Sequence, residues 1–159
     1  NPAESWFQRK EGTVYFEELQ VGQEFRGTWM TVTEAHVVLF GSITGDLSPG
    51  HMNAEFMSRS PFGGRIAHGM LNASIAVASV YPILSQHAAT YLGCQFNFRD
   101  PVMLGDTIKT ACKVVELTPK SHWGLMRLQL TTTNQHGQTV LEGEMAMGIR
   151  YQRQGQGAG

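Results

Sequence analysis

Residues 68–84 read HGMLNASIAVASVYPIL, and this stretch decides the fold. Apolar residues occur on nearly every side of a helix here, and the stretch contains no Asp, Glu, Lys or Arg. A surface helix would show a polar face, so the pattern predicts a helix that is buried on most sides. The small residues Ala73, Ala76 and Ala78 would allow a sheet to wrap closely around it.

Strand-like runs follow that helix along the chain. They are separated by Asp-Pro, Gly-Asp and His-Gly turn signals and contain many β-branched and aromatic residues. The runs cover residues 91–98, 107–117, 125–133 and 139–151. One long buried helix followed by successive strands predicts an α+β domain with an antiparallel sheet.

The length of 159 residues suits a single domain. We assign residues 1–22 to an amino-terminal arm, in which Tyr15 and Phe16 pack against the domain. The domain itself is expected to cover residues 23–151. Residues 152–159, which are rich in Gly and Gln, are expected to form a flexible tail.

The composition argues against several kinds of partner. With 12 Lys and Arg against 13 Asp and Glu, the chain has no general field that would attract nucleic acid or an acidic membrane. Neither a membrane-spanning run nor a secretion signal is apparent, so we expect a cytoplasmic location. Cys94 and Cys112 have no ligands at zinc spacing beside them, so we expect buried free thiols and no metal site.

The first part of the domain contains one clear helix. Residues 24–31 have the pattern of a short strand, and Thr33 then provides an N-cap for a helix that ends at Gly45. His36 stands at the third helical position, where a capping box has Glu or Gln. We therefore expect an incomplete capping box.

Asp46 and His51 lie on a polar stretch, residues 45–51, which reads GDLSPGH. Because Pro49 disfavours a helical conformation at Ser48, we expect a turn here, with His51 as the first residue of the next element. Taken singly, each side chain fits a structural role. As a pair on one rigid loop they can handle a single water molecule, one group removing a proton while the other returns one.

The start of the long helix is a candidate oxyanion site. Backbone N–H groups there lack intrahelical partners, the helix dipole favours negative charge, and Gly69 would let a ligand carbonyl approach closely. The alternative is that Gly69 only permits tight helix entry. Asn72 and Ser74 fit packing roles equally well, and Arg65 could meet a ligand phosphate although its loop lacks the GxxxxGK[ST] pattern.

Residues 40–74, which read FGSITGDLSPGHMNAEFMSRSPFGGRIAHGMLNAS, resemble the MaoC-like dehydratase and (R)-specific enoyl-CoA hydratase family. The hydratase motif of that family is Asp, any residue, Asn, Pro, any residue, His, followed by a Phe-Gly bend and a helix start similar to IAHGM. The later strands also come in the expected order. The resemblance implies a single hot-dog domain, in which an antiparallel sheet wraps around a long central helix.

Position by position, the resemblance implies that Asp46 and His51 are the catalytic dyad and that the Gly69 N–H binds the thioester oxygen. Residues expected to position the substrate are Ser48, His68, Asn72 and Ser74. Ser48 stands where the family usually has Asn. Because a hydroxyl is shorter than an amide, it either positions Asp46 less firmly or marks a different substrate preference.

The resemblance implies a lyase that adds water reversibly to trans-2-enoyl-CoA thioesters to give (R)-3-hydroxyacyl-CoA. No cofactor is required because coenzyme A is part of the substrate, and Arg65 is a candidate contact for a CoA phosphate. A hot-dog sheet leaves an edge and a face to cover, so we expect at least a homodimer.

Two other functions are possible on the same fold. An acyl-CoA thioesterase often carries a water-activating carboxylate on the central helix, but residues 69–80 contain no Asp or Glu. A non-catalytic acyl-binding subunit would lack the dyad, whereas Asp46 and His51 are both present. Both observations favour the hydratase.

Overall fold

The structure is a computed structural model that describes residues 14–27, 29–80 and 89–152. The helices are α1 (Glu34–Thr44), α2 (Pro49–Met52), α3 (Ala54–Ser58) and α4 (Gly69–Ala78), and a short 3-10 helix covers Phe16–Glu18. The strands are β1 (Glu24–Arg26), β2 (Met30–Thr31), β3 (Ala89–Phe98), β4 (Thr107–Pro119), β5 (Gly124–Thr133) and β6 (Thr139–Ile149). The four long strands follow α4 as predicted.

The strands form an antiparallel sheet in the order β1, β4, β5, β6, β3, and β2 also pairs with β4. β3 reaches the far edge of the sheet, where Cys94 lies opposite Met145 of β6. Within the described ranges, β6 is the only strand that pairs with β3. The other side of β3 is therefore an edge.

One face of the sheet carries the core. On β5, Leu128 and Leu130 are buried while Gln129 between them is exposed, which is the period of two expected for a half-buried strand. The long strands contribute the following buried residues to one cluster: Cys112, Val114, Met126, Leu128, Leu130, Met145, Met147 and Ile149.

Helix α4 packs one face between α1 and the sheet. Its buried residues Leu71, Ala73 and Ala76 share a core cluster with Val37 of α1 and Ile108 of β4. Small residues at two of these three positions let the helix approach its neighbours closely, as the sequence suggested.

The opposite face of α4 is open. Met70, Ser74 and Ala78 recur every four residues and are exposed, Met70 to 57%. The prediction that the helix is buried on most sides is confirmed for α4, because the exposed residues form only this one stripe and the other seven residues are buried or half-buried. Residues 81–84 of the predicted helix lie outside the described residues.

Helix α1 begins and ends as predicted, with Thr33 as N-cap and Gly45, at φ 80°, as a left-handed C-cap. The expectation of an incomplete capping box is wrong, because His36 Nδ1 accepts the Thr33 N–H at 3.1 Å. An imidazole nitrogen thus replaces the usual carboxylate oxygen.

The single strand predicted over residues 24–31 is divided into β1 and β2. Both pair with β4, where Arg26 lies opposite Ala111 and Met30 lies opposite Ile108. The chain thus advances by four residues on this side and by three residues on β4. The extra residue interrupts the ladder in the manner of a bulge.

The two cysteines differ in exposure. Cys112 is buried, and this burial raises the pKa of its thiol to about 12. Cys94 is exposed, so the prediction of two buried thiols is wrong for Cys94, which lies on the edge strand.

The end of the predicted arm packs as expected, since Phe16 lies against the main core and its N–H donates to the Arg150 carbonyl at 3.0 Å. Residues 1–13 of the arm and 153–159 of the tail lie outside the described residues. No helix in the described ranges is long and apolar enough to cross a membrane.

Candidate active site

The loop that carries Asp46 is shorter than predicted. It starts at Gly45 and ends where α2 begins at Pro49, because the fixed φ of proline suits the first position of a helix. The expectation that His51 begins the next element is therefore wrong. His51 lies inside α2, and its N–H donates to the Ser48 carbonyl at 3.0 Å.

The structure brings Asp46 and His51 together, with His51 Nε2 3.6 Å from Asp46 Oδ2. The other ring nitrogen of His51, Nδ1, lies 2.7 Å from the Ile66 carbonyl oxygen. A carbonyl can only accept, so Nδ1 carries a proton. In the neutral ring, Nε2 then presents its lone pair toward the carboxylate.

Such an arrangement suits one water molecule. A water can donate one O–H to His51 Nε2 and the other to Asp46 Oδ2, which leaves its oxygen lone pairs for an electrophile. The His51 side chain is 14% exposed and that of Asp46 is 51% exposed. The Asp46 side is therefore the accessible side of the pair.

Asp46 is held in its ionised form. Hydrogen bonds from Ser48, first its backbone N–H and then its side chain, hold the pKa of the Asp46 carboxyl below its ordinary value. The Ser48 N–H lies 3.3 Å from Asp46 Oδ1. A carboxylate with a lowered pKa is a weak base but an effective partner for a cation.

His68 is buried directly beside the pair, with only 2% of its surface exposed. Its Nε2 lies 2.9 Å from the Asp46 carbonyl oxygen, and its ring centroid lies 3.8 Å from that of His51. His68 therefore contacts both members of the pair.

Gly69 is the first residue of α4 and follows His68 directly, so its N–H has no intrahelical acceptor. A Cβ at this position would lie 3.2 Å from the ring of Phe98 on the edge strand. The glycine thus keeps the backbone close to Phe98, and its role as an oxyanion donor stays a prediction.

Ser74 and Asn72 are the other two residues of α4 that the sequence suggested for substrate positioning. The Ser74 hydroxyl is exposed and donates to the Met70 carbonyl at 2.7 Å. Asn72 is 5% exposed, and its Oδ1 has no hydrogen-bond partner among the described residues. Their roles toward a substrate stay predictions.

Arg65 has a different partner from the one suggested by the sequence. Its guanidinium pairs with the Glu34 carboxylate on α1, and Nη1 also lies 3.5 Å from the His51 carbonyl oxygen. Its side chain is only 17% exposed. These contacts connect α1 to α2, and a contact with a CoA phosphate would require Arg65 to leave them.

Sequence reasoning missed several groups that shape the site. The Ile66 carbonyl sets the tautomer of His51, and no side-chain pattern reveals a backbone acceptor. Gly41 did carry a signal, as a glycine inside a helical pattern. A Cβ there would overlap the Met52 methyl and lie 3.0 Å from the Asp46 carbonyl oxygen.

Asp46, His51 and His68 form a group whose potential ligand atoms lie within 4.8 Å of one another. The two imidazole rings are nearly stacked, with 30° between their planes. One nitrogen of each ring already lies on a backbone carbonyl, His51 Nδ1 on that of Ile66 and His68 Nε2 on that of Asp46. We interpret the group as a site for a water molecule between Asp46 and His51.

Comparisons with known proteins identify relatives. The family model described as "MaoC like domain" matches residues 17–139. A 3-hydroxybutyryl-CoA dehydratase of Methylorubrum extorquens is 37% identical over 132 residues, covering 82% of this chain and 81% of the relative. The structure of an R-hydratase from Pseudomonas aeruginosa in the unliganded form has a TM-score of 0.80 at 31% identity and covers 88% of each chain.

A further comparison concerns the fold alone. A Mycobacterium tuberculosis protein described as a double hot-dog fold is 22% identical, with a TM-score of 0.80, and the match covers 92% of this chain and 47% of that chain. The chain has the hot-dog fold, and the predicted α+β class is confirmed.

Replacing Ser48 by alanine should raise the pKa of Asp46 toward its ordinary value of 3.8, since the side-chain hydrogen bond is lost while the backbone N–H remains. Because the pKa of Asp46 is lower in the folded state, ionised Asp46 stabilises the fold at pH values above its pKa in the unfolded state. This contribution to stability disappears as the pH falls through the pKa of Asp46 in the folded state. Carbon-detected NMR titration of the Asp46 carboxyl measures the shift. Ser42→Ala is the control, and an unchanged Asp46 pKa in Ser48→Ala would contradict the assignment.

Gly41→Ala should destabilise the fold by about 1–3 kcal/mol and lower turnover, because the new methyl group crowds the Asp46 carbonyl. The matched control is Gly50→Ala in α2, where an added Cβ meets no atom within 4 Å. Urea denaturation and an enoyl-CoA hydration assay measure the two effects. Equal stability and turnover in the two variants would show that Gly41 does not hold the loop.

Proposed function

The chain belongs to the family of MaoC-like domains, and we propose that it adds water reversibly to trans-2-enoyl-CoA thioesters to give (R)-3-hydroxyacyl-CoA. Hydratase and dehydratase name the two directions of this one reaction. The Methylorubrum extorquens relative is named for 3-hydroxybutyryl-CoA, whose dehydration gives an enoyl-CoA, and the Pseudomonas aeruginosa relative is named an R-hydratase. The first name supports the proposed substrate class, and the second supports the proposed stereochemistry.

The observation that carries the proposal is the 3.6 Å gap between His51 Nε2 and Asp46 Oδ2. In our mechanism the water oxygen bonds to the β-carbon of the enoyl group while His51 Nε2 takes the proton. His51 is the better base because the pKa of Asp46 is lowered. The Asp46 carboxylate holds the second O–H of the water and stabilises the imidazolium.

The electrons of the carbon–carbon double bond move toward the thioester carbonyl as the water adds. The resulting enolate oxygen accepts a hydrogen bond from the Gly69 N–H at the positive end of α4. The imidazolium of His51 then returns its proton to the α-carbon. One water has been added across the double bond, and His51 and Asp46 have returned to their starting protonation states. Because the substrate is neither oxidised nor reduced overall, the reaction requires no redox cofactor.

The first test uses crotonyl-CoA and longer trans-2-enoyl-CoAs. Loss of the conjugated absorbance without release of free thiol is the expected result. Asp46→Asn and His51→Ala should each lower kcat by at least about 10²-fold, because each removes one of the groups that handle the water. Asp100→Asn and His122→Ala change exposed residues of the same types and should leave kcat unchanged.

Two results would count against this function. Thiol release in place of absorbance loss would indicate a thioesterase. Full hydration activity in both Asp46→Asn and His51→Ala would remove the pair from the mechanism.

The proposed enzyme is a homodimer that pairs along β3. This strand has an open edge among the described residues, and it exposes the large apolar residues Tyr91, Leu92 and Phe98. Phe98 also lies beside Gly69, so a second copy on this edge would cover the space next to the oxyanion donor.

Leu92→Lys should weaken dimerisation at least tenfold, since a lysine on each edge would place two like charges near the contact. Sedimentation equilibrium measures the mass against 17.6 kDa for one chain. Val21→Lys is the control, because Val21 is exposed but lies in a turn away from β3. A wild-type protein that stays monomeric at all concentrations, or equal affinities for the two variants, would contradict pairing along β3.

A further inference from the structure

We propose that His68 is a positioning residue of the Asp46–His51 pair, holding the Asp46 carbonyl with its Nε2–H and supporting the His51 ring with its face. The inference rests on the proposed function in one respect only, which is that Asp46 and His51 are the groups that act on the water. It gives His68 a role toward these two residues in place of the contact with substrate that the sequence suggested.

The hydrogen bond sets the tautomer of His68. Nε2 lies 2.9 Å from the Asp46 carbonyl oxygen, and because that oxygen can only accept, Nε2 carries the proton. Nδ1 is buried and has no hydrogen-bond partner within the described part of the chain. A second proton on Nδ1 would place a charge in a buried site without an acceptor, so the geometry favours the neutral ring.

The ring face provides the second contact. The ring centroids of His51 and His68 are 3.8 Å apart, with 30° between the ring planes. The Phe40 ring packs on His68 as well, with 5.1 Å between the ring centroids. The Ile66 carbonyl fixes His51 within its ring plane at 2.7 Å, while His68 limits its motion out of that plane. Together these contacts direct Nε2 of His51 toward Asp46.

Neutrality of His68 matters for the chemistry. When His51 takes the proton of the water, it becomes a cation in contact with the His68 ring. A neutral ring tolerates this cation, whereas a second positive charge at that distance would oppose its formation. The structure thus pairs two histidines of opposite tautomer, with the proton on Nδ1 of His51 and on Nε2 of His68.

Three substitutions separate the two contacts. His68→Gln keeps an N–H donor at a similar reach but loses the ring, His68→Phe keeps the ring but loses the donor, and His68→Leu loses both. We expect kcat to fall about 10-fold in the first two and about 100-fold in the third, because small displacements of reacting groups have effects of this size. KM should stay within about twofold, since His68 acts through the pair and not on the substrate. His122→Phe, at an exposed histidine, is the control.

NMR of the unliganded wild-type protein tests the geometry without substrate. Nitrogen-15 correlation spectra of the imidazoles should show the Nε2–H tautomer for His68 and the Nδ1–H tautomer for His51. This result stands even if no enoyl-CoA is hydrated, so failure of the proposed function is distinguishable from failure of this inference. It also decides the matter if His68→Leu does not fold.

The opposite findings would overturn the role. An Nδ1–H or doubly protonated His68 in the unliganded protein would remove the hydrogen bond to Asp46. Unchanged kcat in His68→Phe and His68→Gln would show that neither contact positions the pair. A raised KM with unchanged kcat would instead assign His68 to substrate binding.

Discussion

The hydrogen bond from His51 Nδ1–H to the Ile66 carbonyl, 2.7 Å long, is the constraint on which the candidate site depends. It leaves the lone pair of Nε2 facing Asp46, where a water can be deprotonated. The same two segments are joined a second time, because the Ile66 N–H donates to the Gly50 carbonyl at 3.1 Å. If this connection were lost, His51 would keep its place in the sequence but not its orientation.

The connection between β3 and β4 fixes the position of the Ile66 segment in turn. Ile66 forms an isolated antiparallel bridge with Met103, and the Ala67 N–H donates to the Val102 carbonyl at 2.8 Å. Val102 is buried in the cluster that also contains residues of α1 and α4. Orientation of the water-handling pair is therefore coupled to packing of the core, while Asp46 itself stays open to solvent.

Local patterns in the sequence were reliable where neighbouring residues decide the outcome. The bounds of α1, its glycine end and the four long strands depend on capping, turn chemistry and periodicity, all of which act over a few residues. Errors arose where distant parts of the chain meet. Cys94 was predicted to be buried but is exposed on an edge strand. Residue type does not reveal how many sides of an element are covered.

The sequence by itself determined which chemical groups are available: a carboxylate and an imidazole on one short loop, a glycine at a helix start, and a family motif with Ser48 in an unusual place. Only the tertiary structure decided what these groups face. Arg65 meets Glu34, 31 residues away, and His68 meets the carbonyl of Asp46, 22 residues away. Tautomers, distances and exposed faces follow from such long-range contacts. Spacing along the chain cannot specify them, because the hydrophobic collapse that brings these segments together depends on the whole core.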